Sequence, residues 1–122
     1  MKKQLHDYMM AMPGVVLEFP FGDEAAVYKV DITPHKKSAH AGSTPDLKMF
    51  AIINEVKDPT NISLKCDPEL AKTLREKYES VMPGYHLNKK HWNTIVCSGQ
   101  LSDQEILDLV DHSYKLVAGI KQ

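Results

Sequence analysis

The chain has 122 residues and a formal net charge of −1 at pH 7, with 43% hydrophobic and 25% charged residues. This length fits one domain with one core, and the composition is that of an ordinary globular protein. The near-neutral charge excludes a strong overall attraction to polyanions. No apolar run approaches the roughly 20 residues that a membrane helix needs. The first residues also lack an apolar signal core, so we expect a cytoplasmic protein with no membrane partner.

The charges are unevenly spread along the chain. Residues 65–91 carry six Lys and Arg side chains against four acids, which gives +2, and residues 99–122 carry two Lys against four acids, which gives −2. This polarity is mild and falls well short of a basic stripe. It leaves room for a local phosphate-binding surface on a molecule that is not basic as a whole.

The two cysteines, Cys66 and Cys97, have no metal-ligand spacing between them. Each lies in an apolar or strand-like context. We therefore predict buried free thiols rather than a disulfide or a nucleophile. Free thiols also agree with a cytoplasmic location.

The first predicted element is a helix over residues 2–12, whose apolar residues recur at spacings of four and three: Leu5, Met9 and Met12. A Pro-Gly pair follows and ends it. We interpret residues 15–22 as a connection that carries apolar anchors.

Three strands are predicted next, at residues 26–31, 48–56 and 62–66. In the last of these, Ile62, Leu64 and Cys66 face one way and Lys65 faces the other. The segment between the first two strands, residues 32–47, is long for a hairpin loop, which usually has about 2–5 residues. Loops of this length are often functional or disordered.

Helix signals dominate the second half of the chain. Asp67 can accept from the free N–H groups of a helical first turn, and Pro68 fits the first helical position. A strand is predicted over residues 92–97. Ser102 and Glu105 then form a capping box that starts the last helix, whose inner face carries Ile106, Leu109, Val110, Ser113 and Val117.

The predicted order is α-β-β-β-α-β-α. Consecutive strands with short links indicate an antiparallel sheet, and alternating strands indicate one covered face and one open face. We therefore predict a single α+β domain over residues 1–122, with two layers and the helices on one face of an antiparallel sheet.

Residues 83–92 concentrate hydrogen-bonding groups: a turn signal, two histidines, two lysines, an amide and the only tryptophan. One interpretation of His86 and His91 is phosphate contact or a proton-transfer pair. The other, which we favour, is that the two imidazoles and Asn88 satisfy buried backbone groups where the loop packs on the sheet. Trp92 has the ring to stack a base, but a lone tryptophan beside a strand is more often a core residue.

Four lysines are candidates for phosphate contact. Lys29 and Lys65 are expected on the open face of the sheet, with Lys89 and Lys90 at its rim. A phosphate-contacting surface and an ordinary solvated sheet face both explain them, and the two interpretations stay open.

We expect no metal, no cofactor and no catalysis. His35 and His40 lack a companion CxxC, HExxH or carboxylate-rich motif, even when His86, His91 or His112 is added. No Gly-rich phosphate loop, nucleophile elbow or paired-carboxylate motif is present.

Several short motifs follow one another along the chain in a specific order and spacing: Met12-Pro13-Gly14, Phe19-Pro20-Phe21-Gly22, Lys48-Met49-Phe50-Ala51, Ser63 to Glu69, Pro83 to Trp92, Gly99, and Ser113-Tyr114. Together they resemble the signature of the MmcQ/YjbR family, small bacterial proteins usually described as DNA-binding. The resemblance covers nearly the whole chain. It implies an α+β domain related to the secretion-chaperone-like fold, and DNA binding. Residues 32–47 depart from the family, which usually joins these strands by a shorter turn.

The sequence thus predicts a non-catalytic DNA-binding module that contacts mainly phosphates, through Lys29, Lys65, His86, Asn88, Lys89, Lys90 and His91. The alternative is a protein-interaction or small-ligand module that uses the same surface. A third hypothesis is an enzyme with an acid–base pocket around His86 and His91.

Overall fold

The computed structural model describes residues 1–35, 42, 44–84 and 87–120. Within these ranges the helices are α1 (Lys2–Met10), α2 (Pro68–Lys77) and α3 (Asp103–Ala118), with a short 3₁₀ helix at Thr33–His35. The strands are β1 (Val15–Glu18), β2 (Ala25–Asp31), β3 (Leu47–Asn54), β4 (Asn61–Lys65), β5 (Val81–Pro83) and β6 (Trp92–Val96). In the described part of the chain, no helix is both long enough and apolar enough to cross a bilayer.

The strands form one antiparallel sheet in the order β1-β2-β3-β4-β6-β5. One sheet face packs against the helices. Leu5 of α1, Phe50 of β3 and both Ile106 and Val110 of α3 are buried in the same core. The predicted α+β class, with helices on one face of an antiparallel sheet, is confirmed.

The predicted element order lacks two strands that the structure contains. Residues 15–22 were interpreted as a connection, but Val15–Glu18 form β1, which pairs with β2. Val81–Pro83 form β5 at the other edge of the sheet. Four- and three-residue strands carry too little alternation to be recognised, and their pairing partners lie elsewhere in the chain. Pro83 is tolerated because an edge strand can lack a donor.

Both predicted helix starts are confirmed. The Asp67 carboxylate accepts from the backbone N–H groups of Glu69 and Leu70, and Pro68 occupies the first turn of α2. At α3, Ser102 Oγ accepts from the Glu105 N–H at 3.1 Å, and Glu105 Oε1 accepts from the Ser102 N–H at 2.9 Å. These reciprocal bonds form the capping box.

A bulge in the β2–β3 pairing at Tyr28/Lys29 precedes the point where the β3–β4 ladder stops, at Ala51–Leu64. The buried Ser113 hydroxyl of α3 bridges the two strands there. It donates to the Phe50 carbonyl at 2.6 Å and accepts from the Lys65 N–H at 3.0 Å. A helix side chain thus replaces one rung of the sheet and fixes the backbone of Lys65.

Distant parts of the chain are joined by tyrosine hydroxyls. Tyr114 donates to the Pro13 carbonyl at 2.6 Å. Tyr8 donates to the Asp111 carboxylate, with oxygen distances of 2.8 and 2.9 Å. Both bonds attach the beginning of the chain to α3.

The long loop is pinned at its two ends. Asp31 Oδ1 accepts from the Thr33 N–H at 2.9 Å and from the Asp46 N–H at 3.3 Å. Residues 36–41 and 43 of the predicted 32–47 loop lie outside the described residues.

Candidate functional site

The sheet face opposite the helices, called the open face below, is ordered in rows by the strand register. The middle row crosses all six strands through Glu18, Val27, Ile52, Ser63, Thr94 and Met82. A second row joins Ala25, Asn54, Asn61 and Val96. At the opposite end, Lys29 pairs with Met49, and Lys65 pairs with Trp92.

A groove of about 540 Å³ lies over the middle row and the asparagine row. Its apolar walls come from Ile52, Met82 and Leu87, and its polar lining includes Asn54 and Asn61. Glu24 and Lys57 also line it, at the end away from Lys65. This volume falls in the range of about 300–1,000 Å³ that is typical of small-molecule sites.

The polar groups of the groove are only partly used by the protein itself. Ser63 Oγ and Thr94 Oγ1 are 2.8 Å apart and share a hydrogen bond. Asn54 Oδ1 accepts from the Val56 and Lys57 N–H groups at 3.0 and 3.2 Å. Among the described residues, the Asn54 NH₂ group and the whole Asn61 amide have no hydrogen-bond partner. The groove therefore offers amide donors and an acceptor to a ligand.

The four lysines predicted to contact phosphate differ in their ion pairing and in their exposure. Lys29 Nζ forms an ion pair with Glu18 Oε1 at 2.7 Å, so its charge is partly neutralised. Lys65 is half-buried at the end of β4, while Lys89 and Lys90 are exposed in the loop before β6. The Cys66 N–H donates to the His91 carbonyl at 2.7 Å, which brings this loop to the Lys65 end of the sheet. We call Lys65, Lys89 and Lys90 the cationic end.

The loop that carries Lys89 and Lys90 is held by its own backbone and by α2. The Asn88 carbonyl accepts from the Trp92 N–H at 3.0 Å, and Asn88 Oδ1 accepts from the Lys90 N–H at 3.0 Å. Arg75 donates Nε to Asn93 Oδ1 at 2.6 Å and its guanidinium also contacts the Lys89 carbonyl. The Asn88 side chain thus satisfies a backbone group, as predicted, but that group is exposed and not buried.

The predictions for the other residues of segment 83–92 are confirmed in one case and not in the others. Trp92 is buried, with 7% of its surface exposed, as predicted for a core residue. The half-buried His91 bonds through its backbone, and its imidazole has no hydrogen-bond partner in the described ranges. His86 lies outside the described residues, so the predicted pairing of the two imidazoles cannot be placed.

The two thiols are free, as predicted. Cys66 is buried and Cys97 is half-buried. Burial raises the pKa of each thiol to about 11, and the neighbouring Asp67 carboxylate adds to the shift at Cys66. Within the described ranges, no three His, Cys, Asp or Glu residues converge as a metal site would require.

Sequence reasoning missed the groove and the role of Arg75. Asn61 lay outside the strand predicted at residues 62–66, although it begins β4 beside Asn54. The predicted alternation, which turns Lys65 away from Ile62 and Leu64, also puts the Ser63 hydroxyl on the open face. The signal that could have identified the groove was a run of polar residues at outward strand positions, but the register that aligns them is not contained in any single strand.

Comparisons with known proteins agree with this architecture. A family model described as YjbR matches residues 10–116. The uncharacterized protein YjbR of Escherichia coli K12 is 46% identical over 67 residues, covering 55% of this chain and 57% of that protein. The uncharacterized protein YbdF of Escherichia coli O157:H7 is 32% identical over 120 residues, covering 95% of this chain and 86% of that protein.

Solved structures share the fold. The crystal structure of Deinococcus radiodurans DR2400, with a DUF419 domain, matches with a TM-score of 0.82 and 34% identity, covering 99% of this chain and 82% of that one. A Pseudomonas syringae protein matches with a TM-score of 0.71 and 26% identity, covering 96% of this chain and 98% of that one. Because the family model covers residues 10–116 and the similarity to YbdF extends over 95% of the chain, the chain belongs to the YjbR family.

Proposed function

We propose that this chain is a cytoplasmic, non-catalytic DNA-binding module that contacts mainly phosphates. The observation that carries the proposal is the cationic end, where the loop with the exposed Lys89 and Lys90 meets the end of β4 that carries Lys65. Phosphate contacts of this kind position a protein on nucleic acid and supply most of its non-specific affinity.

The charge distribution supports the same surface. The acids Asp103, Glu105 and Asp108 belong to α3, on the other layer of the molecule. These acids therefore lie on the helix side of the sheet, opposite the open face to which Lys65 belongs. Lys29 adds less than predicted because Glu18 already pairs with it.

The test is a fluorescence-anisotropy titration with duplex DNA between about 50 and 200 mM salt. If the three lysines of the cationic end each neutralise one phosphate, log affinity should fall against log salt with a slope of about −2.7. Changing Lys89 and Lys90 to Ala should flatten that slope by about 1.8, equally for different DNA sequences.

The matched control changes Lys72 and Lys115 to Ala, which removes the same charge from exposed positions on α2 and α3. This variant should bind like the wild type. The absence of a complex at low salt, or equal losses in the two double variants, would contradict the proposal.

A second candidate function is small-ligand binding, which the groove of about 540 Å³ favours. Its walls combine apolar side chains with a few polar groups, as small-molecule sites do. Calorimetric titration with small planar, hydrogen-bonding compounds would test it, with Asn61→Ala as the variant that should lose binding.

A further inference from the structure

We infer that the groove receives an unstacked base of a single-stranded nucleic acid while the cationic end holds phosphates of the same strand a few nucleotides away. The inference rests on the proposed function and adds a preference for single strands. It combines two neighbouring features: the groove, whose asparagine amides keep free hydrogen-bonding groups, and the cationic end.

The polar lining of the groove suits the edge of a base. Asparagine amides recognise bases through paired donor and acceptor groups. Asn61 has both groups available, and Asn54 keeps its NH₂ group because only its oxygen is engaged by the protein. The Ser63–Thr94 hydroxyl pair lies between these amides and the lysines.

The walls of the groove suit the faces of a base. Ile52, Met82 and Leu87 supply apolar contact on both sides of the polar lining. Met82 is 40% exposed, and an unbranched thioether side chain adapts to ligands of different outline. These contacts are independent of base identity, so we expect modest sequence preference.

The distance between Asn61 and Lys65 along β4 suits a nucleic-acid strand that crosses the open face. Asn61 and Lys65 are four residues apart, which corresponds to roughly 13 Å along an extended strand. Successive phosphates advance by about 3.4 Å per nucleotide in a stacked strand and farther in an unstacked one, so this distance corresponds to at most about four nucleotides. The cationic end can therefore contact phosphates a few nucleotides from a base held at Asn61.

Duplex DNA cannot use the groove in the same way. Its bases are stacked and paired, and placing one of them in the groove would require that it be flipped out of the helix at a cost in free energy. A single strand already presents unstacked bases. The two substrates should therefore share the lysine contacts but differ in the contacts to Asn61.

The experiment compares labelled single-stranded DNA of mixed sequence with the matched duplex in anisotropy titrations. The wild type should bind the single strand more tightly. Asn61→Ala should weaken single-strand binding by roughly five- to tenfold, the loss of about one hydrogen bond, and change duplex binding by less than about twofold. Gln4→Ala removes an exposed amide from α1 and should change neither.

A melting curve of each variant checks the fold. If Asn61→Ala melts early, Asn61→Asp keeps the side-chain outline, places a negative charge in the groove, and should weaken single-strand binding at least as much. Equal losses for single strand and duplex, or no loss with a folded Asn61 variant, would overturn the inference and leave the proposed function intact. Binding of free mononucleotide without binding of the strand would overturn it as well. Failure to bind either DNA would overturn both.

Discussion

The Ser113 hydroxyl is a small group at a demanding position. It is fully buried and connects the Phe50 carbonyl with the Lys65 N–H, where the β3–β4 ladder has stopped. Buried backbone groups that lose a partner are costly. Because Lys65 belongs to the cationic end, the same hydroxyl also fixes the backbone from which a phosphate contact would be made.

Ser113→Ala should lower the free energy of unfolding by about 1–3 kcal/mol, because it leaves the buried Phe50 carbonyl and the partly buried Lys65 N–H unpaired. Chemical denaturation of both proteins measures the difference. Thr73→Ala is the control, since the Thr73 hydroxyl donates to the Glu69 carbonyl within the exposed side of α2. A Ser113→Ala variant as stable as that control would show that water or a rearranged ladder replaces the hydroxyl.

The Cys66 thiol should be unreactive in the folded protein. Its pKa is raised to about 11, chiefly by burial, so little thiolate exists near pH 8. In a Cys97→Ser background, a thiol reagent should label Cys66 far more slowly in native buffer than in denaturant. Similar labelling rates in the two conditions would mean that the segment between β4 and α2 opens readily.

At the scale of elements, the start of α3 should depend on pH. The hydrogen bond from the Ser102 N–H, followed by those from the Ser102 and Tyr78 hydroxyls, lowers the pKa of Glu105 below its ordinary value of 4.5. A lowered folded-state pKa means that the stabilisation is present above the ordinary value and is lost as pH falls through the folded-state value. Ser102→Ala should lower stability by about 1 kcal/mol at neutral pH.

Denaturation measured from neutral to acidic pH tests this prediction. The difference between wild type and Ser102→Ala should shrink as Glu105 becomes protonated. Glu105→Gln keeps an acceptor oxygen but cannot titrate, so its own contribution should not change over that range. A constant difference between wild type and Ser102→Ala at all pH values would contradict the coupling.

Arg75 should hold the loop at residues 87–92 in its folded conformation. Its guanidinium reaches the Lys89 carbonyl, the Trp92 carbonyl and the Asn93 amide oxygen at once. Arg75→Ala should lower the free energy of unfolding by about 1–3 kcal/mol. Arg75→Lys should recover only part of this, because an ammonium group lacks the planar fork.

Hydrogen exchange of residues 87–92 provides the measurement, with Lys72→Ala on the same helix as the control. Faster exchange in this loop is expected for Arg75→Ala only. Unchanged exchange would show that the turn at Asn88 is sufficient to hold the loop.

Helices were more predictable than strands in this chain. The first turns of α2 and α3 are marked by local signals, Asp67-Pro68 and Ser102/Glu105, and both helix starts were identified. β1 and β5 are defined by pairing with β2 and β6, so their few residues carry no independent signal.

The site was predictable only in part for the same reason. The outward position of Lys65 follows from alternation within β4. The alignment of Asn54 with Asn61, and the ion pair of Lys29 with Glu18, depend on register between strands. The attachment of Arg75 to the loop at residues 87–92 joins a helix and a loop that sequence periodicity treats separately.

At the scale of the whole molecule, the folded protein should lose stability at alkaline pH. The hydrogen bond to Asp111 is the main cause that raises the pKa of Tyr8 to about 12, and burial is the main cause that raises the pKa of Tyr28 to about 12. The folded protein therefore keeps both phenol protons at pH values where the unfolded chain has lost them. Stability from these groups is fully present below the ordinary pKa of 10.0 and is lost as pH rises toward 12.

Tyr8→Phe should reduce this alkaline dependence, because it removes one of the phenols whose pKa is raised. It should also lower stability at neutral pH by about 1 kcal/mol through the lost hydrogen bond. Thermal melts across the alkaline range distinguish the two effects. An identical alkaline slope in wild type and Tyr8→Phe would assign the whole dependence to other groups.

The tyrosine bonds between the beginning of the chain and α3 also affect how the protein folds during synthesis. Tyr8 and Asp111 are 103 residues apart, and Tyr114 and Pro13 are 101 residues apart. A ribosome adds about 5–20 residues per second. The first helix and hairpin must therefore wait several seconds for α3, with their core-facing side chains uncovered. A nascent chain stalled before α3 should remain open to proteases and chaperones, and it should become protected only when the last helix has left the ribosome.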